Sequence, residues 1–439
     1  MHDMKALLTD LYELTMAAGY WQAGKSAERA TFELSIRRLP ANRSYLLATG
    51  LEEALAYLLD LAFNPPEIDY LRSQPVFSQV SPGFWDYLSR FRFTGDVWAV
   101  GEGTPVFAGE PLLRISGPLP EAQIAETYLL STITFQTLIA TKAARIVEAA
   151  AGRGVVEFGT RRAHTPQAGV LGARAAYIGG CMGTSNVEAG YRFGIPVYGT
   201  AAHSWTQAFD SEPEAFCRLQ QLLGDRTIYL LDTYDVEAGA RNAAAVGQPF
   251  LGVRLDSGDL EAQSRLVRRI LDDAGYREAR IMASGDLNEQ RIAALVRAGA
   301  PIDWFGAGTE LATSADAPHL ASIYKLVEIE RGGQPRPTAK RSADKPSWPG
   351  IKQVFRGPGY DIVGLECESF AGAAPLLEPV VERGRRVAEP PALSQIRGRA
   401  RAQLAELPAA CRRLENPEPY PVRYSEKLQA LCAQLGASR

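Results

Sequence analysis

Residues 252–287 read GVRLDSGDLEAQSRLVRRILDDAGYREARIMASGDL. Two short apolar runs, GVRL and RIMA, flank a segment that can form a helix. Each run leads into a polar turn, Asp-Ser-Gly-Asp after the first and Ser-Gly-Asp after the second. Strands that are apolar without alternation, and that are joined through helices, are typical of a parallel sheet covered on both faces. The stretch therefore predicts a strand–helix–strand unit of an α/β fold.

The same alternation continues on both sides of this unit. Seven short apolar runs recur, namely VVEF from residue 155, PVYG from 196, IYLL from 228, GVRL from 252, RIMA from 280, IDWFG from 302 and IYKLV from 323. Segments that can form helices lie between most of them, at 172–191, 260–274 and 287–298. About seven such units favour a closed TIM-like α/β barrel, and an open doubly wound sheet is the alternative.

The flanking segments have a mixed pattern. Helical spacing over 8–21 and 50–61 precedes short β-like runs over 93–117. The segment 120–151 is rich in β-branched residues at its centre, which predicts a buried, packed helix. Beyond residue 330 the chain is rich in Pro and Arg, with one further strand, KQVFR from residue 352, and a closing helical region.

The length of the chain predicts more than one domain. A chain of 439 residues is too long for one compact core. We expect an N-terminal α+β domain over 1–119, the barrel over 120–330 and a C-terminal segment over 331–439.

The composition excludes several classes of protein. Lys and Arg total 47 against 50 Asp and Glu, so the chain lacks the basic balance typical of nucleic-acid binding. No apolar run approaches the roughly 20 residues that cross a bilayer, and the first residues lack a signal-peptide pattern. The five cysteines are scattered and form no CxxC pair, which is typical of reduced thiols. We expect a cytoplasmic globular enzyme without nucleic-acid or membrane partners.

Polar clusters follow six of the apolar runs, at the edge where barrel enzymes keep their active sites. Three of them carry glycine beside small hydroxyl residues, among them SGD at 284–286 and GAGT at 306–309. Backbone N–H groups exposed in such turns bind phosphate. For either turn alone, a tight strand-to-helix connection without a ligand is the alternative.

Charged residues near the strand ends are candidates for anion and cation binding. Arg161, Arg162 and Arg254 would pair there with a phosphate or a carboxylate. An internal salt bridge, for example to Asp256 or Asp286, is the alternative. Five acids could hold Mg²⁺ or sugar hydroxyls: Asp232, Asp235, Asp256, Asp259 and Asp286.

One histidine has a setting that favours chemistry. His203 lies between small residues in GTAAHS, where its imidazole would be an accessible base or phosphate acceptor. His164, in RRAHT, has a similar position after a strand.

Seven motifs taken together resemble the nicotinate phosphoribosyltransferase family. In chain order they are LLTDLYELTMAAGYW (7–21), FELSIRRLP (32–40), EFGTRRAHTPQA (157–168), GGCMGTSN (179–186), PVYGTAAHSW (196–205), GVRLDSGDL (252–260) and ASGDLN (283–288). The resemblance covers nearly the whole chain to about residue 356.

The resemblance implies an activity and an architecture. Such enzymes form nicotinate mononucleotide and pyrophosphate from nicotinate and 5-phosphoribosyl-1-pyrophosphate, with coupled ATP hydrolysis and Mg²⁺, as the first step of NAD synthesis from nicotinate. The implied fold is an irregular TIM-like α/β barrel with a second α+β domain built from the N- and C-terminal segments. The implied assembly is a homodimer with shared active sites.

The resemblance also implies roles for single residues. Tyr12 and Phe158 are expected to sandwich the pyridine ring from different subunits. Arg161 and Arg254 are expected to meet the nicotinate carboxylate and the phosphoribosyl group, with Asp256 as their support. His203 is the expected phosphohistidine. The expected cradle of the 5′-phosphate is formed by Ser284, Gly285, Gly306 and Gly308.

Ser185 bears on which base is accepted. The related nicotinamide enzyme looks to have Asp at this place in the GT-x motif, where a carboxylate would repel nicotinate. A role as a helix N-cap is the alternative for Ser185.

Nicotinamide and quinolinate phosphoribosyltransferases are the nearest rival functions. A sugar-phosphate isomerase or aldolase, or a non-enzymatic pyridine-nucleotide binder, are rivals from other classes.

Overall fold

The computed structural model describes residues 6–340 and 347–436 of the chain. It divides into two compact units. The terminal unit comprises the described residues of Met1–Thr137 and His319–Arg439, and the central unit is Leu138–Pro318.

The N-terminal segment contains six helices and five strands. They are α1 (Leu11–Gln22), β1 (Arg29–Ile36), β2 (Leu46–Leu47), α2 (Leu51–Asp60), α3 (Pro65–Ser73), α4 (Pro82–Ser89), β3 (Asp96–Val100), β4 (Pro105–Val106), β5 (Pro111–Pro118), α5 (Leu119–Ile124) and α6 (Glu126–Ala149).

Strands and helices then alternate through the central segment. The elements are β6 (Gly154–Glu157), α7 (Pro166–Ile178), β7 (Gly183–Thr184), α8 (Val187–Phe193), α9 (His203–Gln207), α10 (Glu212–Leu223), β8 (Ile228–Leu230), α11 (Val236–Ala245), β9 (Gly252–Leu255), α12 (Leu260–Asp273), β10 (Arg280–Ala283), α13 (Glu289–Arg297), β11 (Trp304–Ala307) and α14 (Thr309–Ala312).

The C-terminal segment is mainly β-structure. Its elements are β12 (Ser322–Arg331), β13 (Gln334–Pro337), β14 (Lys352–Gly357), β15 (Tyr360–Leu365), β16 (Ala374–Pro375), β17 (Leu377–Glu382), β18 (Arg385–Arg386), α15 (Leu393–Glu406), α16 (Ala409–Arg412), β19 (Val422–Tyr424) and α17 (Glu426–Gln434).

The terminal unit is built from strands of both chain ends. Its antiparallel sheet of seven strands has the order β13-β12-β1-β5-β3-β17-β18. Strand β1 pairs on one side with β12 and on the other with β5, so a C-terminal strand completes an N-terminal sheet. A second sheet, β16-β14-β15-β19, comes from the C-terminal segment alone. The prediction of a second α+β domain built from both terminal segments is confirmed.

The central unit contains a parallel sheet of six strands in the order β7-β6-β11-β10-β9-β8. Its strands are apolar and almost wholly buried, as helix coverage on both faces requires. The α/β class is therefore confirmed. The ladders described form one row from β7 to β8, so closure into a barrel is not confirmed.

Two of the seven predicted strands differ in the structure. The run PVYG contributes only an isolated bridge between Thr184 and Val197. The run IYKLV forms part of β12, which pairs antiparallel with β1 in the terminal unit. A short apolar run does not specify its partner strand, and this one was assigned to the wrong sheet.

The boundaries of helices and units also differ from the sequence predictions. The predicted helix over 120–151 is two helices, α5 and α6. Besides its helices, the C-terminal region contains a four-stranded sheet and contributes strands to the seven-stranded sheet. The units divide at 137/138 and 318/319, whereas we predicted 119/120 and 330/331. The predicted boundary at 119/120 is too early because α5 packs on α1, β1 and β5 and therefore belongs to the terminal unit. The predicted boundary at 330/331 is too late because β12 pairs with β1.

Among the described residues, no helix is both long and apolar enough to span a membrane.

Candidate active site

The polar turns of the central unit lie along one edge of its parallel sheet. The register pairs Ala283 at the end of β10 with Leu255 of β9 and Ala307 at the end of β11 with Glu157 of β6. The chain segments that follow these four strands therefore begin side by side. They contain most of the residues that the sequence singled out.

Arg254 is at the centre of this edge and donates hydrogen bonds in three directions. Its Nε donates to Ser284 Oγ at 2.8 Å, one Nη to Thr200 Oγ1 at 2.8 Å and the other Nη to Asp256 Oδ1 at 2.7 Å. The side chain is only 14% exposed. A guanidinium carries five N–H groups, so two remain beyond these contacts in the described part of the chain. The internal salt bridge between Arg254 and Asp256, considered above as an alternative, is present. It orients the Arg254 guanidinium, which keeps two N–H groups for other acceptors.

Asp256 is held in its ionised form. Burial favours the neutral acid, but Arg254 and the hydrogen bond from Ser284 Oγ (2.6 Å) outweigh it and lower the pKa of Asp256 below its usual value. The nearby His203 acts in the same direction. At neutral pH the site therefore contains a fixed carboxylate paired with a fixed guanidinium.

His203 begins α9 and reaches the same carboxylate. Its Nε2 lies 3.7 Å from Asp256 Oδ2, and its Nδ1 lies 3.2 Å from Thr233 Oγ1. The side chain is 40% exposed, so a ligand can approach the ring. Thr233 and Asp256 orient the two nitrogens, as a histidine in acid–base or phosphoryl chemistry requires.

Two glycines at this edge have no room for a side chain. Gly285 has a φ of +90°, and a Cβ there would lie 1.9 Å from the backbone oxygen of Asp256. A Cβ on Gly306 would lie 2.5 Å from the ring of Phe158 and 3.2 Å from Ser284 Cβ. The Phe158 ring is therefore in contact with Gly306, and its centre is 5.8 Å from the Arg254 guanidinium. These contacts join the aromatic residue to the two predicted phosphate turns.

A buried acid supports the turn that contains Phe158. Glu157 accepts hydrogen bonds from the N–H of Gly159 and from Thr184 Oγ1. Burial raises the pKa of Glu157, and these two hydrogen bonds offset part of that rise. Its backbone oxygen also accepts the Ser185 N–H at 2.9 Å, so the 157–160 and 183–186 segments form one assembly.

Ser185 is not the cap of the following helix. The N-cap of α8 is Asn186, whose side chain accepts the Ala189 N–H at 2.8 Å. The alternative explanation considered for Ser185 is therefore wrong. Ser185 is half-buried next to the Glu157–Phe158 segment.

Other predicted residues lie outside the Arg254 network. Arg161 and Arg162 are in an exposed 3-10 turn directly after Phe158, and His164 is also exposed. Gly308 precedes α14, with Phe158 backbone atoms beside it. Tyr12 belongs to the terminal unit, on α1, and is 44% exposed.

The five candidate acids have different environments. Asp235 and Asp259 cap α11 and α12 with their side chains, and Asp286 is exposed with a φ of +47°. The described residues contain no group of three or more histidine, cysteine or acidic side chains able to hold a metal ion. One oxygen of Asp232 accepts from the Asp256 N–H and from Ser257 Oγ, whereas its Oδ1 is buried without a partner in the described chain. That oxygen fits a single contact to Mg²⁺, which needs few protein ligands when substrate phosphates supply the rest.

Three hydroxyl residues of the network were missed by the sequence analysis. Thr200, Thr233 and Ser257 each bond a predicted residue. Their position in the segments that follow predicted strands was the only available signal, because a lone Ser or Thr is common in such turns.

The Gly285 contact provides a test of this geometry. We expect Gly285→Ala to lower the free energy of unfolding by about 1–3 kcal/mol more than Gly275→Ala, because only the former drives a Cβ into packed backbone. Gly275 has the same φ of +90° but no described atom within 4 Å, so it reports backbone strain alone. Urea unfolding of both variants measures the difference. Equal losses would contradict the close approach of Gly285 to Asp256.

Three family models match the chain in consecutive segments. Residues 7–134 match the nicotinate phosphoribosyltransferase (NAPRTase) N-terminal domain and residues 352–432 match the nicotinate phosphoribosyltransferase C-terminal domain. Residues 139–317 match the quinolinate phosphoribosyl transferase C-terminal domain.

Individual proteins give a consistent result. The chain is 43% identical to nicotinate phosphoribosyltransferase pncB2 of Mycobacterium tuberculosis (strain ATCC 25618 / H37Rv), over 98% of this chain and 94% of the relative. The crystal structure of human nicotinic acid phosphoribosyltransferase superimposes with a TM-score of 0.87 at 30% identity, covering 98% of this chain and 100% of that chain. Nicotinate-nucleotide pyrophosphorylase from Pyrococcus furiosus gives a TM-score of 0.77 at 27% identity, covering 92% and 97% of the two chains. With matches at this identity along nearly its whole length, the chain belongs to the nicotinate phosphoribosyltransferase family of enzymes.

Proposed function

We propose that this protein transfers the phosphoribosyl group of 5-phosphoribosyl-1-pyrophosphate to nicotinate, forming nicotinate mononucleotide and pyrophosphate. The observation that carries the proposal is the contact of Phe158 with Gly306 and Arg254 beside the Ser284 turn. This arrangement offers an aromatic face, a cation with spare donors and two glycine turns within one small region. The pyridine ring requires the aromatic face, its carboxylate requires the cation, and the ribose phosphate requires the turns.

The nicotinate ring would stack on Phe158. We propose that Tyr12 of the partner subunit covers the opposite face of the ring, which makes the active enzyme a homodimer with shared sites. Tyr12, on α1, is well exposed, and so are Leu8, Leu11 and Met16 nearby in the sequence. Exposed apolar side chains of this kind are expected at a subunit interface. Arg161 and Arg254 would meet the carboxylate and the phosphoribosyl group, because bidentate guanidinium donors suit both anions.

The 5′-phosphate would lie against the backbone of two turns, Ser284–Gly285 and Gly306–Gly308. The Ser284 N–H donates to the Leu255 carbonyl at 2.8 Å, so the donors of this turn would come from the residues after Ser284, where glycine leaves the backbone accessible. The Ser284 hydroxyl is fixed by Arg254 and Asp256. The fixed geometry matters because anion binding by backbone donors depends on their direction.

The reaction requires positioning more than covalent help from the protein. The pyridine nitrogen donates its lone pair to form a bond to C1 of the ribose. The bond from C1 to the pyrophosphate oxygen breaks, and the electron pair of that broken bond leaves with pyrophosphate. Positive charge develops on the ribose in the transition state. The ionised Asp256, held by Arg254 and Ser284, would stabilise that charge without reorganisation.

We propose that Mg²⁺ takes part together with the pyrophosphate group. Asp232 Oδ1 is the protein atom that would contact it, supported by the hydrogen bonds from Ser257 and Asp256 to the other oxygen. When bound, Mg²⁺ would neutralise charge on the leaving group.

We propose that ATP hydrolysis is coupled to transfer through phosphorylation of His203. Its Nδ1 is within hydrogen-bond distance of Thr233 Oγ1 (3.2 Å), whereas its Nε2 is 3.7 Å from Asp256 Oδ2 and makes no hydrogen bond that short to any described residue, so Nε2 is the acceptor we assign. The activity would be the first step of NAD synthesis from nicotinate, in the cytoplasm.

The rival functions fit these residues less well. A Schiff-base aldolase needs an accessible lysine, but Lys142 is the only lysine between residues 138 and 318 and it is buried in ion pairs. The nicotinamide enzyme looks to carry Asp where this chain has Ser185. Residues 139–317 match the C-terminal domain of quinolinate phosphoribosyl transferase, so activity with quinolinate has to be measured to distinguish that function.

The proposal is tested by presenting three bases to the purified protein. With 5-phosphoribosyl-1-pyrophosphate, Mg²⁺ and ATP, we expect nicotinate to be converted to its mononucleotide with a kcat/KM at least about tenfold above those of nicotinamide and quinolinate. Mononucleotide and pyrophosphate are measured separately, so that base-independent hydrolysis is recognised. Preferential use of either other base would overturn the assignment.

The role of His203 is tested by removing its imidazole. We expect His203→Ala to abolish nicotinate-dependent ATP hydrolysis and to retain weak ATP-independent transfer, because the base and ribose contacts come from other residues. His319→Ala, an exposed histidine of the terminal unit, is the matched control. ATP-stimulated turnover in the His203 variant would show that the phosphate acceptor lies elsewhere.

Ser185 is tested by introducing a carboxylate. Like charges about 4 Å apart in a partly dry site repel by several kcal/mol. We expect Ser185→Asp to lower kcat/KM for nicotinate at least tenfold, about 1.4 kcal/mol, and to raise that for nicotinamide. Ser185→Asn is the uncharged control. An unchanged ratio between the two bases would remove Ser185 from base recognition.

A further inference from the structure

Lys142 is an unusual residue of the central unit. It is the only lysine between residues 138 and 318, lies on α6 and is only 1% exposed. A buried ammonium needs several acceptors, because burial removes the water that would otherwise solvate its three N–H groups. The proposed chemistry does not use this side chain.

Three carboxylates surround the Lys142 ammonium. Its Nζ lies 2.6 Å from Glu289 Oε2, 2.8 Å from Asp316 Oδ1 and 4.0 Å from Glu310 Oε2. Arg145, one helical turn further along α6, contacts the other oxygen of Glu289 at 3.1 Å. Glu289 is completely buried, and Glu310 and Asp316 are partly exposed.

Two of these acids lie directly after the two glycine turns. Glu289 is the first residue of α13, which follows the turn that begins at Ser284. Glu310 is the second residue of α14, which follows Gly306 and Gly308. The strands that enter the turns, β10 and β11, are neighbours in the parallel sheet. One cation therefore binds the first turns of both helices that leave the proposed phosphate cradle.

The charges explain why a cation is needed at this place. Three carboxylates within reach of one point repel one another, and Lys142, with Arg145 on the other oxygen of Glu289, offsets this repulsion between α13, α14 and the segment of Asp316. An ammonium is a compact charge whose N–H groups point in three directions, which suits several carboxylates better than a planar guanidinium does.

We propose that Lys142 is a positioning residue for the ribose phosphate. It sets the spacing of the turns 284–286 and 306–308 through Glu289 and Glu310, and so aligns their backbone donors on one phosphate. This inference rests on the proposed function, because it assigns both turns to the 5′-phosphate. A shift of about 1 Å between the two turns is enough to spoil such alignment.

The test compares binding of the phosphate with binding of the base. We expect Lys142→Met and Glu289→Gln each to raise KM for 5-phosphoribosyl-1-pyrophosphate at least about tenfold and to change KM for nicotinate less than about twofold. Asp316→Asn, which leaves Glu289 and Glu310 on the cation, is expected to have a smaller effect of the same kind. Calorimetric titration with ribose 5-phosphate, which does not depend on turnover, should show Kd raised by the same factors in each variant.

A matched control separates positioning from general loss of stability. Arg356 pairs with the buried Asp361 in the terminal unit at 2.6 Å, so Arg356→Met also removes the cation from a buried ion pair. Melting temperatures of all variants are recorded. We expect Arg356→Met to leave KM for 5-phosphoribosyl-1-pyrophosphate and Kd for ribose 5-phosphate unchanged.

Two results would overturn the proposal. One is an unchanged Kd for ribose 5-phosphate in the folded Lys142 and Glu289 variants. The other is an equal rise in Arg356→Met. If Lys142→Met does not fold, Glu289→Gln and Asp316→Asn decide by the same criteria. Failure of the proposed function is a separate result, namely wild-type protein that binds ribose 5-phosphate but does not convert nicotinate.

Discussion

The pairing of Arg254 with Asp256 is the interaction on which the site depends. Arg254 is mostly buried, and its contacts to Ser284, Thr200 and Asp256 come from three different chain segments. Removing one partner of this partly buried pair leaves the other charge uncompensated, which destabilises the site. Neither residue can therefore change alone without disturbing the segments that the pair holds together.

The backbone around this pair is equally constrained. Gly285 packs against the carbonyl of Asp256, and Gly306 packs against Phe158, so side chains at these positions would displace Asp256 and Phe158. The Lys142 ion pairs join the first turns of the two helices that follow these glycines. Side chains and backbone thus specify one arrangement of the carboxyl edge, as electrostatic preorganisation requires.

The sequence predicted the central strands well where the pattern was local. Strands β8, β9, β10 and β11 begin within two residues of the predicted apolar runs, because buried parallel strands have a distinctive composition. The partner of β12 was not predictable in the same way. Its run IYKLV looks like the others, and only long-range pairing with β1 assigns it to the terminal unit.

The site was predictable to a similar extent. Strand ends indicated Arg254, Asp256, His203 and the glycine turns, but the roles of Tyr12 and Ser185 came from resemblance to a family. The only signal for Thr200 and Thr233 was their position after predicted strands, and it was too weak to single them out, because hydroxyl residues are common there whatever they contact. The network around Lys142 was also invisible, since its cations are separated from its acids by more than 140 residues and meet them only in the folded chain.

The most direct measurement is a crystal structure of the protein with nicotinate mononucleotide and Mg²⁺. The account predicts the pyridine ring stacked on Phe158 and the 5′-phosphate bound at the two glycine turns, 284–286 and 306–308, with Arg254 beside it. A nucleotide whose phosphate lies away from both glycine turns would contradict the account.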